Sequence, residues 1–212
     1  MFSINVASIT SPARLSHRMA AGIALGLALA GLTLTISPAR AQAEGCPSAP
    51  LSQPFSKFND TNWYELVPNG DFEGSTAGWT LSGKAALASG SESYAVTGKL
   101  GKSSLELPAG ASATSPFMCV DKSYRTMRFF ARSEGGSSSV SVQVLYKTPN
   151  GPYVGNVGTV SPSSSWAPTE KLPTLAGPAS AESNGTAQVS IRVTAKSGRS
   201  RVDDVYLDPR MH

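Results

Sequence analysis

The folded part of this chain lacks the residues for nucleophilic catalysis. Of its two histidines, His17 falls in an apolar leader and His212 is the last residue. That excludes Ser-His-Asp and Cys-His arrangements and a His-rich zinc site. Paired carboxylates could serve glycoside hydrolysis. The available acids, Glu65, Glu92, Glu106, Asp121, Glu134 and Glu170, sit near turns or on strand faces, where a solvated acid is the ordinary explanation. No catalytic residue is named, and the chain reads as a non-enzyme. Two acids differ from the rest. Glu73 follows Asn69-Gly70-Asp71, and Asp203 lies in Val202-Asp203-Asp204-Val205-Tyr206-Leu207. Strand alternation sends Asp203 to the side of Val205 and Leu207 and Asp204 to the other. A carboxylate on that side needs either a cation or hydrogen-bond donors, and both readings stand.

Cys46 and Cys119 are the only cysteines. With no histidine near them they make a poor metal pair, and in an exported chain they are expected to join. The bridge would close a loop of 73 residues, for which loop entropy gives about 4 kcal/mol.

Export is expected from residues 1–43. They hold Arg14, Arg18 and Arg40 but no Asp or Glu, with an uncharged run from Met19 to Ile36 and then Ala39-Arg40-Ala41-Gln42-Ala43. This is the order of a signal peptide cleaved after Ala41 or Ala43. The competing reading is an uncleaved anchor, since the run reaches the lower edge of a bilayer span; its Ala and Gly content and the cleavage pattern oppose that. Glu44 and the distance from the apolar run oppose lipidation at Cys46. The whole-chain charge is +4, and three of the 18 Lys and Arg leave with the leader. The mature part is therefore nearly neutral and has no basic run, which removes nucleic acid as a partner.

Residues 44–62 read as an N-terminal segment tied down by the disulfide, and residues 63–210 as one domain. No long stretch has apolar residues at helical spacing. Alternation marks strands in Met127 to Ala131, in Val140-x-Val142-x-Val144-x-Tyr146, in Val189-x-Ile191-x-Val193 and in Val205-x-Leu207. Shorter strands are expected at Trp63 to Val67, Trp79 to Ser82, Ala85 to Ala88, Ser93 to Val96, Ser103 to Leu107, Phe117 to Val120 and Tyr153 to Thr159. Turn signals such as Pro149-Asn150-Gly151-Pro152, a hairpin, separate them. Ser161 to Ser183 reads as a long connection between sheets. The fold expected is all-β, a two-sheet antiparallel sandwich.

Asn69-Gly70-Asp71-Phe72-Glu73 with Gly78-Trp79, Gly101-x-Ser103-Ser104-Leu105-x-Leu107, and Val202 to Leu207 together resemble the opening, middle and closing strands of the galactose-binding-like jelly roll used by carbohydrate-binding modules. The layout is also similar to a group of secreted bacterial proteins of unknown role. The resemblance implies a structural calcium ion held by Glu73 and Asp203, and it implies binding of carbohydrate or another cell-envelope component. Aromatic faces would receive the sugar. The candidates are Tyr94, Tyr146, Tyr153 and Trp166, although Trp166 reads equally as a core anchor and Tyr94 and Tyr146 as packing residues. Trp79 reads as core. A structural or adhesive surface domain without a small ligand is the alternative, and a glycoside hydrolase the third reading.

Overall fold

The computed structural model describes residues 46–121, 126–174 and 186–208. The expected leader lies outside the described residues, as does the part of the expected Ser161 to Ser183 connection beyond residue 174. Two long strands form the spine: β8 (Thr126–Tyr146) and β12 (Thr186–Asp208). They pair antiparallel from Thr126↔Asp208 to Val189↔Tyr146, with register shifts around Ser197 where Gly135, Gly136 and Gly198 take positive φ. The four alternating segments of the sequence are thus the halves of two strands that bend together from one layer of a sandwich into the other.

In the first layer, residues 199–208 pair with β2 (Tyr64–Leu66) and β5 (Ser103–Leu107). β1 (Leu51–Ser52) and β4 (Ala86–Ser89) extend that side. Residues 126–131 pair with β10 (Ala167–Pro168) and β11 (Leu172–Pro173) on the other. In the second layer, residues 186–195 pair with β6 (Ser112–Thr114) and β7 (Met118–Asp121), and β6 pairs with β3 (Thr80–Ser82). β9 (Tyr153–Val160) joins β8 through the expected hairpin. Every pairing is antiparallel, and among the described residues no helix is long and apolar enough to cross a membrane.

The core lies between the layers. Val140, Val142, Val144 and Tyr146 meet Val189, Ile191 and Val193 there, with Met127 and Phe129 from the first layer. Each such aliphatic side chain contributes roughly 1.5–3 kcal/mol by leaving water. Trp79 is core, as expected, and its Nε1 donates to the Pro68 carbonyl at 2.9 Å.

β8 reads Arg128-Phe129-Phe130 because its first half is buried on both faces. Phe129 enters the main core, while Phe130 joins Phe55, Tyr64 and Tyr206 in a second cluster on the outer side of the first layer. The N-terminal segment covers that cluster. It is pinned by Asp60, whose carboxylate accepts from Arg128 Nη1 at 2.7 Å and Tyr64 Oη at 2.7 Å and pairs with Lys171 at 3.0 Å. Arg128 also lies 4.5 Å over the Phe55 ring. Burial alone would raise the Asp60 carboxyl. Hydrogen bonds from Tyr64, Arg128, Lys171 and the Asn62 N–H outweigh it and hold the group below the usual range.

Two local expectations are corrected. Ser93 to Val96 is not a strand: the buried Glu92 carboxylate accepts from the N–H groups of Tyr94 and Val96 and curls the segment into turns. The simple alternation at Asp203 also fails, because the pairing slips between Asp203 and Tyr206 and Asp204 takes φ 49°. This bulge puts Asp203, opposite Phe130, on the outer side with Tyr206, while Val205 and Leu207 enter the core. Asp203 and Asp204 are not separated into one buried and one solvated residue; both are buried.

Candidate functional site

The acidic cluster forms where the opening and closing strands meet. Arg201 and Asp203, two apart on β12, grip one loop by its two polarities. Arg201 Nη2 donates to the carbonyls of Ala88, Ser89 and Gly90, each at 2.8 Å. Asp203 Oδ2 accepts from Ser91 Oγ at 2.7 Å and Glu92 N at 2.8 Å. Glu73 takes the N–H groups of Lys102 at 2.8 Å and Ser103 at 3.1 Å. Gly101 permits this: a Cβ there would lie 2.3 Å from Glu73 Oε1 and 2.5 Å from Ser91 Oγ. Glu73 and Asp203 therefore flank the Ser91 hydroxyl.

Burial pushes the Asp203 carboxyl up to about 7 despite its donors. Asp204 is pushed up to about 9 by burial and then by the charges of Asp203, Glu92, Asp71 and Glu73. The oxygens of Glu73 and Asp203 are engaged by N–H and O–H donors, and among the described residues no three His, Cys, Asp or Glu side chains are arranged to hold a metal ion.

The four aromatic candidates fall in two separate pairs, Tyr94 with Trp166 and Tyr146 with Tyr153. Tyr146 is buried in the main core and offers no face to a ligand. Tyr94 packs against Phe58 and Phe130 and donates its hydroxyl to the Trp166 carbonyl at 3.0 Å. Trp166 is half-buried beside it, with the Arg132 guanidinium 5.4 Å from its ring centroid. Tyr153 is exposed at the start of β9, its ring 6.0 Å from that of Tyr146. No two of them form a platform.

A more coherent surface is the outer face of the second layer. Pairing aligns Thr80, Thr114, Arg192, Gln143 and Asn156 in one row across β3, β6, β12, β8 and β9. The adjacent row on the same face is Ser82, Ser112, Thr194, Ser141 and Thr159, hydroxyls throughout. All ten are half-buried or exposed. Four interstrand steps make each row about 19 Å long. Within the first row Gln143 Nε2 donates to Asn156 Oδ1 at 2.9 Å and Arg192 Nε to Thr114 Oγ1 at 3.1 Å. Phe117, 45% exposed, stands on the same face at the edge of β7, since its neighbour Met118 points into the core. Sequence reading passes over these residues. Three of them, Ser141, Gln143 and Arg192, are the unmarked positions between Val140, Val142 and Val144 and between Ile191 and Val193, and alternation alone does not say which residues meet across strands.

Three of the carboxylates considered for hydrolysis have protein partners. Glu92 caps its own turn, Glu134 accepts from Arg132 at 2.6 Å and Arg201 at 3.3 Å, and Glu106 faces Arg199 at 3.9 Å.

No family model and no curated protein matches the sequence. Among solved structures, the CBM22-1 xylan-binding domain from Paenibacillus barcinonensis Xyn10C is similar at 13% identity and a TM-score of 0.46, covering 66% of this chain and 91% of that one. The family 11 carbohydrate-binding module from Clostridium thermocellum, in complex with a β-1,3-1,4-mixed-linked tetrasaccharide, is similar at 20% identity and a TM-score of 0.43, covering 70% and 98%. A bacteriophage CBA120 tailspike domain is similar at 16% identity and a TM-score of 0.45, covering 67% of this chain and 21% of that one. The described residues form an all-β antiparallel sandwich, and carbohydrate-binding modules are among the solved structures it is similar to. Likeness at this level assigns no ligand to this chain.

Proposed function

We propose that this is an exported, non-enzymatic domain that binds a polysaccharide along the outer face of its second layer. The supporting observation is the pair of five-residue rows. Ten polar side chains, none of them acidic, are aligned across five strands and left open to solvent. A sugar chain presents hydroxyls along its length and an apolar C–H face. The rows supply donors and acceptors for the first, and Phe117 an aromatic face for the second. Nearly all of these groups are uncharged, so neutral hydrogen bonds summed over the chain carry the affinity. The disulfide is consistent with an oxidising compartment.

Depletion of the disulfide-bonded domain by insoluble polysaccharides tests this reading. Wild-type protein is expected to be retained, and Phe117→Ala to weaken retention about three- to tenfold, the equivalent of one aromatic contact. Thr194→Asp, which puts a carboxylate among the hydroxyls, is expected to weaken it further. Retention indifferent to both substitutions would remove this face from the interaction. Failure to retain any polysaccharide would favour the structural or adhesive reading.

A further inference from the structure

Arg192 is the one charged residue among the ten of the open face and occupies the central strand of its row. The guanidinium has five donors. Its Nε is spent on Thr114 Oγ1, and among the described residues no carboxylate pairs with it. The other described arginines are compensated or enclosed: Arg128 by Asp60, Arg132 by Glu134, Arg199 by Glu106, and Arg201 by Glu134 and three carbonyls. The neighbours of Arg192 are instead hydroxyls and amides, Thr114, Gln143, Thr194 and Ser141, none of which can neutralise it. Its bond to Thr114 holds the side chain down on the sheet, leaving the terminal nitrogens for an external partner.

We infer that Arg192 seats an anionic group of the polysaccharide, so that the domain prefers glycans bearing carboxylates or sulfates to neutral ones. The inference rests on the reading of this face as the polysaccharide site and names the class of polymer it takes. The chemistry is a planar fork of N–H donors meeting a pair of anionic oxygens, a charge-assisted and bidentate contact. Hydroxyls on either side continue to bond the uncharged parts of the chain. None of the ten is acidic, so the rows themselves present no like charge to a polyanion, and the partly buried position makes the pairing less screened than on an open surface.

Affinity electrophoresis of the disulfide-bonded domain through gels containing polygalacturonate, a sulfated galactan or unsubstituted xylan tests this. Retardation is expected to be stronger with an anionic polymer than with xylan. The better of the two anionic gels says whether carboxylate or sulfate is the group recognised. Arg192→Gln is expected to weaken binding to that polymer about tenfold, the loss of one charge-assisted contact, and binding to xylan by a smaller factor, so that the preference for the anionic polymer is lost. Arg192→Lys, which keeps the charge but not the fork, is expected to fall between. Unchanged thermal midpoints in both variants would show that the fold is intact. Equal retardation by xylan and the polyanions, or an Arg192→Gln variant that keeps its preference, would overturn the inference and leave the polysaccharide reading standing. No retardation in any gel would overturn both.

Discussion

At Asp204 the chain holds an L-residue in the left-handed region, φ 49°, with its carboxyl buried among four other acids. Burial raises it first, and the charges of Asp203, Glu92, Asp71 and Glu73 raise it further, while Ser91 and the Glu92 N–H donate to the neighbouring Asp203. Both Asp203 and Asp204 start from an ordinary value of 3.8 and are raised, to about 7 and about 9. Between the two values the folded form keeps protons that the unfolded chain has released, so stability falls as the pH rises through that window. With a chelator present, the thermal midpoint is expected to be lower at about pH 8.5 than at about pH 5.5. Asp204→Asn is expected to flatten the upper part of the decline. A midpoint that climbs across the window would contradict the burial of uncompensated charge. Repeating the scan with calcium tells whether a divalent ion takes the place of the protons.

Among elements, the N-terminal segment shows how a polar anchor can hold an apolar lid. Asp60 joins the segment to β8 through Arg128, to the connection before β11 through Lys171 and to β2 through Tyr64. Removing one partner of a buried ion pair leaves the other unmatched, so Asp60→Ala is expected to cost about 3–5 kcal/mol in denaturant unfolding. A loss below about 1 kcal/mol would show that the pair is solvated in practice. None of this was legible in the sequence, where Asp60 is one acid in a polar stretch and two of its three partners, Arg128 and Lys171, are distant. The alternating runs of β8 and β12 were legible, because side-chain period is local. The bulge at Asp204 was not. It depends on Val205, whose N–H bonds to the Gly70 carbonyl at 3.0 Å while its own carbonyl accepts from Val67 at 2.9 Å, both more than 130 positions away. The same limit hid the two polar rows: each row is a register between strands, and register is fixed by the assembled sandwich. Tyr146, weighed both as a sugar platform and as a packing residue, is buried, since a tyrosine ending an alternating run is on the core side whenever the run is.

At the scale of the whole molecule, the disulfide links the start of the described chain to β7, with Cys46 and Cys119 Cα atoms 5.3 Å apart. It stabilises chiefly by restricting the unfolded chain, and Cys119→Ala is expected to lower stability by about 2–5 kcal/mol. Reduction of the wild type should match that loss; a midpoint unaffected by reductant would mean that the N-terminal segment is held by its packing alone. The pairing pattern of β12 has a consequence for how the chain acquires its shape. This last strand bonds to β2, β5, β6, β7 and β8. Both sheets therefore wait for the C-terminal residues, and a nascent chain lacking them has no complete hydrophobic interior to settle into. The contacts that close the structure are separated by up to 142 positions, as in Leu207 with Glu65, which places the domain among topologies whose search is slow. Such a polypeptide stays open until the residues of β12 have been joined to it.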